Sequence, residues 1–359
     1  MNNSIVDEDL NYIFSEIKNK GKWKNATIVI TGCAGFLGFY FMNFFIKKGK
    51  ELGIKKVVGL DNFILGKPDW LASLEINFSS LINVKNFDVS KDDISTIKDT
   101  LDANYVVHAA SIASPSYYRK FPIVTIEANV FGLKKLLDYY KNSSNLLGFL
   151  FFSSSEIYGD PDTNFIPTSE SYRGNVNCIG PRACYDESKR FGETLCWVYS
   201  KEYPLPITVA RPFNNYGPGM KLEDKRLPAD FAKSVIRNEN ISILSDGSPK
   251  RTFCYISDAM IGYLLCLTYG RYDFFNIGSD KPEISVKDFA EIFLKLGSKI
   301  NNYQGNISYN QSEDLDYMTD NPNRRCPIID KARTKLGYKP KISLEEGIGR
   351  YLKFLKDNT

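Results

Sequence analysis

Histidine is nearly absent, since His108 is the only one in 359 residues. That scarcity excludes HExxH zinc sites, zinc fingers and any catalytic pair of histidines, and a Ser-His-Asp triad would have to use that one residue. The seven cysteines (Cys33, Cys178, Cys184, Cys196, Cys254, Cys266 and Cys326) are odd in number and form no CxxC pair. They read as reduced thiols, and no metal site is expected. Charge of one sign is also scarce: 46 Lys and Arg against 42 Asp and Glu leave +4, too little to point to a nucleic-acid or membrane partner. No apolar run reaches the roughly 18 residues of a membrane span. The opening MNNSIVDEDLNYIFSEIK is acidic and amphipathic, not a basic region followed by an apolar one, so no secretory signal is read and a cytoplasmic protein is expected. General acid–base work therefore falls mainly to Tyr, Lys, Glu or Asp. What remains, 43% hydrophobic and 25% charged, is an ordinary soluble globular composition, long enough for about two domains.

Residues 7–20 carry Leu10, Ile13, Phe14 and Ile17 at helical spacing, an amphipathic helix within an N-terminal extension spanning 1–25. Apolar, β-rich runs follow at 27–31, 56–60, 83–87, 105–109, 147–153 and 207–213. Helical segments separate most of them, notably 36–52, 123–140 and 182–203. Nearly all-apolar strands alternating with helices predict an α/β fold, a Rossmann-type doubly wound parallel sheet covered on both faces. Helices are also expected at 227–238 and 286–296. The dinucleotide-binding domain is placed at 26–215 and a smaller α/β substrate domain mainly at 216–359, with the chain crossing between the two.

The strongest local signal is Thr31-Gly32-Cys33-Ala34-Gly35-Phe36-Leu37-Gly38. Glycines Gly32, Gly35 and Gly38 between an apolar strand and a helix allow a tight turn, and they let the backbone approach a pyrophosphate at the helix N-terminus. Phe36 and Leu37 belong to the same cradle. The next strand ends in Leu60-Asp61-Asn62, with Asp61 lying 23 residues after Gly38. A carboxylate there accepts both ribose hydroxyls and repels a 2′-phosphate, so NAD is expected rather than NADP. Asp88 and Val89 close the third strand, where they either hold the adenine or cap a turn. Small Ala109, Ala110 and Ser111 end the fourth strand, as a cofactor lying against it requires.

Tyr185 and Lys189 are four residues apart in a helical stretch, so their side chains share a face. A phenol ionises near pH 10. An ammonium one turn away, with the positive ring of oxidised NAD, is expected to lower that value and make Tyr185 a base. Ser153-Ser154-Ser155-Glu156 ends a strand in the crevice where such sheets bind ligands. Ser154 there can share a proton with a substrate hydroxyl, and Glu156 can sit over the next carbon; the alternative is that these serines cap the strand.

With these residues in hand the chain resembles the extended short-chain dehydrogenase/reductase family, in its nucleotide-sugar branch, from about Ala26 to Leu344. Gly180-Pro181-Arg182-Ala183-Cys184-Tyr185-Asp186-Glu187-Ser188-Lys189-Arg190 is similar to the active-site helix of UDP-glucuronate decarboxylases. Ser154-Ser155-Glu156-Ile157-Tyr158-Gly159-Asp160-Pro161 is similar to their Thr-Ser-Glu-Val-Tyr-Gly-Asp-Pro, and His108–Ser111, Ser114-Pro115 and Tyr118 match the same pattern. The resemblance implies oxidation at sugar C4, with Tyr185, Ser154 and Lys189 handling the hydroxyl proton, and a 4-keto intermediate that is later reduced. A substrate with a C6 carboxylate then loses CO₂. A substrate with a C6 hydroxyl loses water, with Glu156 taking the C5 proton.

In dTDP-glucose 4,6-dehydratases an aspartic acid usually precedes that glutamate; here it is Ser155. This favours decarboxylation, although GDP-mannose 4,6-dehydratases also carry Ser-Glu. The chain departs from the decarboxylases at Ile64-Leu65-Gly66-Lys67-Pro68, at Gly219 and at Ser188. The resemblance also implies a nucleotide-diphosphate sugar as substrate, with Tyr118, Ser155 and Arg182 on the sugar side. Asn214, Asn215 and Arg251 would lie at the diphosphate, the alternative for Arg251 being a surface ion pair. Arg324 and Arg325 are read as diphosphate contacts or a structural salt bridge, and His108 as structural. A homodimer joined through four helices is implied too. A 4,6-dehydratase, a C4 oxidase or epimerase, and a non-catalytic NAD-binding regulator stand as alternatives to UDP-glucuronate decarboxylation.

Overall fold

Val29 and Ile30 typify strands whose branched side chains suit a sheet packed on both faces. In the computed structural model, which describes residues 4–312, 316 and 319–358, the first apolar run forms β1 (Thr27–Thr31), with all five residues buried. The others form β2 (Lys56–Asp61), β3 (Ile82–Asn86), β4 (Tyr105–His108), β5 (Gly148–Phe152) and β6 (Ile207–Pro212). All pair in parallel, in the order β6-β5-β4-β1-β2-β3. The chain winds one way from β1 to β3 and the other way from β4 to β6. The reversal between β1 and β4 opens a crevice at their C-terminal ends, where Thr31 lies beside His108.

A seventh strand, Asp273–Ile277, pairs with β6 at the edge of the sheet. Its half-buried Asp273 and Phe274 give it no continuous apolar run, which is why sequence pattern alone passes over it. The chain therefore returns to the sheet from within 216–359, and one hydrophobic core extends from Ile5 through Phe41 and Tyr216 to Leu355. The helix expected over 36–52 ends at Lys47, followed by a separate turn at Gly49–Leu52. The segment expected at 123–140 starts at Pro122 and widens into π-type turns over Glu127–Gly132.

The N-terminal helix spans Ser4–Glu16 and stops short of residue 20, because Asn19 is left-handed (φ 56°) and Lys20–Trp23 tighten into a 3₁₀ turn. It is not peripheral. Asp9 is fully buried and accepts hydrogen bonds from Tyr40 Oη (2.7 Å), Tyr255 Oη (2.8 Å) and Arg350 Nη1 (2.9 Å). Burial raises its carboxyl to about 6 against those stabilising donors. One buried carboxylate thus ties the first helix to the helix after β1, to the Cys254–Tyr255 strand and to the C-terminal helix. Among the described residues no helix is long and apolar enough to cross a membrane.

Candidate active site

Backbone crowding explains the glycines after β1. Gly32 has φ +72°, and a Cβ there would lie 2.6 Å from the Ala109 carbonyl oxygen; a Cβ on Gly38 would overlap the Gly32 carbonyl. The helix that follows, Phe36–Lys47, has Gly35 as its N-cap with no side-chain cap, so its first N–H groups face outward as an anion-binding end. Gly32, Gly35, Phe36, Leu37, Gly38, Ala109 and Ser111 all border one cavity of about 400 Å³.

Asp61 stands at the end of β2, just outside that wall. Its Oδ2 accepts from Ala34 N (3.0 Å) and its Oδ1 from Phe63 N (2.8 Å), leaving lone pairs on both oxygens for further donors. Asn62, Asp88, Val89 and Ala110 also lie outside the cavity wall. Asn62 Nδ2 donates to Asp88 Oδ2 (3.3 Å), while Asp88 Oδ1 accepts from Ser90 N (3.0 Å) and Ser90 Oγ (2.6 Å), so that one oxygen caps the turn and the other faces Asn62. Val89 packs on Gly132. The hydroxyls of Ser111 and Ser153, both on the cavity, are buried without a hydrogen-bond partner. Two orphaned donors, a glycine cradle and an uncapped helix end together fit a dinucleotide.

Tyr185 and Lys189 sit on helix Ala183–Glu202, both buried. Lys189 Nζ donates to the Phe152 carbonyl at the end of β5 (2.7 Å) and lies 5.6 Å from the centre of the Tyr185 ring. Tyr118 stacks on that ring at 5.0 Å and 11°. Lys189 is expected to pull the phenol's pKa down together with the positive ring of oxidised NAD. Among the protein's own groups burial dominates: the Tyr185 phenol is pushed up to about 12, with a hydrogen bond to Ser154 working the other way, and burial pushes Lys189 down to about 7. The cation that lowers the phenol is Arg226, a cavity residue paired with Asp224, which no motif marked. Ser154 also accepts from Glu156 N (3.2 Å), capping a 3₁₀ turn at Ser155–Tyr158. His108 is buried beside Thr31 Oγ1 (2.8 Å). Burial holds its pKa near 3, so it is a neutral structural imidazole.

Glu156 does not stand free over the cavity. Arg182 Nη2 and Arg325 Nη1 and Nη2 all donate to its carboxylate, the last at 2.7 Å. Those guanidiniums keep it ionised, well below the ordinary carboxyl range, despite burial. Glu156, Ser155, Arg182 and Arg325 all border the cavity. Arg325 thus stands with Glu156 and Arg182 on the cavity wall, whereas its neighbour Arg324 makes a two-pronged salt bridge to Glu283 (2.8 and 2.7 Å).

The far wall comes from the C-terminal part of the chain. Asn214 Nδ2 donates to Thr252 O (2.8 Å), and Asn215 Oδ1 accepts from Tyr263 Oη. Arg251 is buried, its Nη2 donating to Pro322 O (2.7 Å) and its Nη1 to Lys250 O (3.0 Å). All three border the cavity. A segment after Gly217 crosses the mouth, Lys221 Nζ reaching Leu65 O (2.8 Å) and Ser114 Oγ reaching Asp224 O (2.5 Å).

The sequence profile of the NAD dependent epimerase/dehydratase family matches residues 28–278. UDP-glucuronic acid decarboxylase 1 of Xenopus tropicalis is 34% identical over 330 residues, covering 92% of this chain and 72% of its own. UDP-glucuronic acid decarboxylase 6 of Arabidopsis thaliana is 33% identical over 324 residues, covering 90% and 87%. Among solved structures, UDP-glucuronic acid 4-epimerase from Bacillus cereus, in complex with UDP-glucuronic acid and NAD, superposes with a TM-score of 0.75 at 25% identity, over 93% of this chain and 100% of that one. UDP-glucose 4-epimerase of Thermotoga maritima, with UDP-glucose, gives 0.77 at 25% identity, over 92% and 99%. With the glycine cradle, the parallel sheet and the buried Tyr185–Lys189 pair already in place, these likenesses settle its kinship: the chain belongs to the NAD-dependent epimerase/dehydratase family.

Proposed function

We propose that this enzyme decarboxylates UDP-glucuronate to UDP-xylose, or to its 4-keto form, through oxidation at sugar C4. The observation that carries the reading is the pair of guanidiniums, Arg182 and Arg325, set on the cavity wall with Glu156 between them. Two cations against one ionised carboxylate leave positive charge for a substrate carboxylate. Tyr185 takes the C4 hydroxyl proton, with Ser154 aligning that hydroxyl and Arg226 and Lys189 supplying positive potential. Bound NAD supplies the two-electron acceptor for the hydrogen at C4. The C4 carbonyl stands β to the C6 carboxylate, so C5–C6 cleavage delivers its electrons into that carbonyl and releases CO₂. Arg182 and Arg325 hold the carboxylate in place for this step. Asn214, Asn215 and Arg251 hold the diphosphate, and Tyr118 and Ser155 flank the sugar.

A 4,6-dehydration would need Glu156 as a base at C5. Pairing with two guanidiniums lowers its proton affinity, which favours decarboxylation over that alternative. The test is a panel of UDP-, GDP-, CDP- and TDP-sugars followed by mass spectrometry. Loss of CO₂ from UDP-glucuronate is expected; loss of water from a hexose nucleotide, with no CO₂ released, overturns the assignment.

On the cofactor side, Asp61 is assigned to the ribose hydroxyls, with Asn62, Asp88 and Val89 toward the adenine. Asp61→Ala is expected to weaken NAD about tenfold and to narrow its preference over NADP, read by fluorescence titration with each nucleotide. Unchanged NAD affinity would place the ribose elsewhere.

A homodimer is supported by apolar side chains left exposed on two neighbouring helical segments: Ile123 and Phe131 on one, Phe191, Trp197 and Val198 on the other. Trp197, 51% exposed, is central, and Trp197→Glu is expected to yield monomers by analytical ultracentrifugation; an unchanged mass argues against this face. The seven free thiols accord with a cytoplasmic location.

A further inference from the structure

Asp186 follows Tyr185 on the active-site helix and is buried to 5% exposure. Its Oδ1 has no hydrogen-bond partner. Its Oδ2 is 3.6 Å from Arg182 Nε, and that N–H is unpartnered as well. An ionised carboxylate beside a guanidinium closes to about 2.8 Å and uses both oxygens. Here two bonds that such a pair would make are left unmade, and the guanidinium forks of Arg182 and Arg325 turn to Glu156 instead. Two buried carboxyl groups that share the same cations do not both ionise when one of them holds those cations.

We propose that Asp186 keeps its proton in the resting enzyme, acting through Arg182 as a positioning residue that sets the sugar end of the cavity to a net charge of +1. The proposal rests on the UDP-glucuronate reading. With Glu156 ionised, Asp186 neutral and Arg182 and Arg325 charged, the cluster matches a substrate carrying one carboxylate and not a neutral hexose. Were Asp186 ionised, the cluster would be neutral and that preference would be lost.

The groups facing Asp186 agree with a proton there. On its own helix and N-cap stand Cys184, Tyr185 and Arg182; Glu156 comes from the turn after β5, Tyr118 from the segment after β4, and Arg325 and Asp320 from the C-terminal part. Burial raises its carboxyl well above the ordinary range, Glu156 and Asp320 raise it further, and Arg182 and Arg325 oppose them. A raised acid is neutral at low pH and ionises as pH climbs, so preference for the acidic sugar should fade on the alkaline side.

The experiment measures calorimetric affinities of the NAD-loaded full chain for UDP-glucuronate and UDP-glucose between pH 6.5 and pH 9.5 (roughly three decades of proton activity, ample for one group). Every protein carries Tyr185→Phe to prevent turnover. In that parent, preference for UDP-glucuronate is expected to fall about tenfold across the range. Adding Asp186→Asn, which stays neutral, should hold the preference level, and Asp186→Ser serves as a second neutral variant if the amide does not fold. An equal fall in parent and neutral variants overturns the role of Asp186. No preference in the parent at any pH overturns the substrate reading instead.

Discussion

Tyr185→Phe is expected to lower turnover of UDP-glucuronate about a thousandfold while leaving NAD bound. Only the phenolic oxygen is removed; the ring that stacks on Tyr118 at 5.0 Å remains, so packing around the helix is kept. A positioned proton acceptor contributes about 10²- to 10⁴-fold. The upper half of that range applies because no other group at the site serves as a ready acceptor: His108 is locked on Thr31, Lys189 points to the Phe152 carbonyl and Glu156 is held by two arginines. Stopped-flow absorbance of the reduced cofactor and the NAD content of the purified variant would report the two quantities. Near-normal turnover would reject Tyr185 as the acceptor; loss of NAD would assign it to cofactor retention.

Arg325→Met is expected to cut kcat/KM for UDP-glucuronate by about a hundredfold or more. It deletes two of the donors on Glu156 and half of the positive charge offered to the sugar acid, and truncating one member of a buried charge pair costs about 2–5 kcal/mol. Arg325→Lys should recover only part of the loss, because an ammonium lacks the planar fork that grips a carboxylate. Affinity for UDP-glucose, which has no C6 carboxylate, should change much less. Steady-state kinetics with the acid and calorimetry with the neutral sugar separate these outcomes. Equal losses for both sugars would make Arg325 a purely structural partner of Glu156.

Short-range features were legible because their physics is local. The glycine loop, the acid at the end of β2 and the Tyr185–Lys189 spacing each depend on neighbours within about one strand or helix, and chain pattern encodes that directly. Long-range pairings were not. Glu156 and Arg325 are 169 residues apart, and nothing near Arg325 signals a carboxylate partner. Asp9 looks like one more solvent-facing acid on an amphipathic helix, yet its three donors come from 31, 246 and 341 residues away. The burial that pushes the Tyr185 phenol up was hidden for a related reason. Spacing reports that an amine is near, whereas burial depends on Tyr118, Ser154 and segments folded over the helix from elsewhere. The edge strand Asp273–Ile277 escapes the pattern because the polar Asp273 and Asn276 break its apolar run.

Decarboxylation by this route requires a keto-sugar that forms and is reduced at one site. It is tested most directly with UDP-glucuronate deuterated at sugar C4, incubated in light water with the NAD-loaded enzyme. The UDP-xylose produced should keep its deuterium at C4 and gain its new C5 hydrogen from solvent. UDP-xylose formed with the C4 label washed out would contradict it.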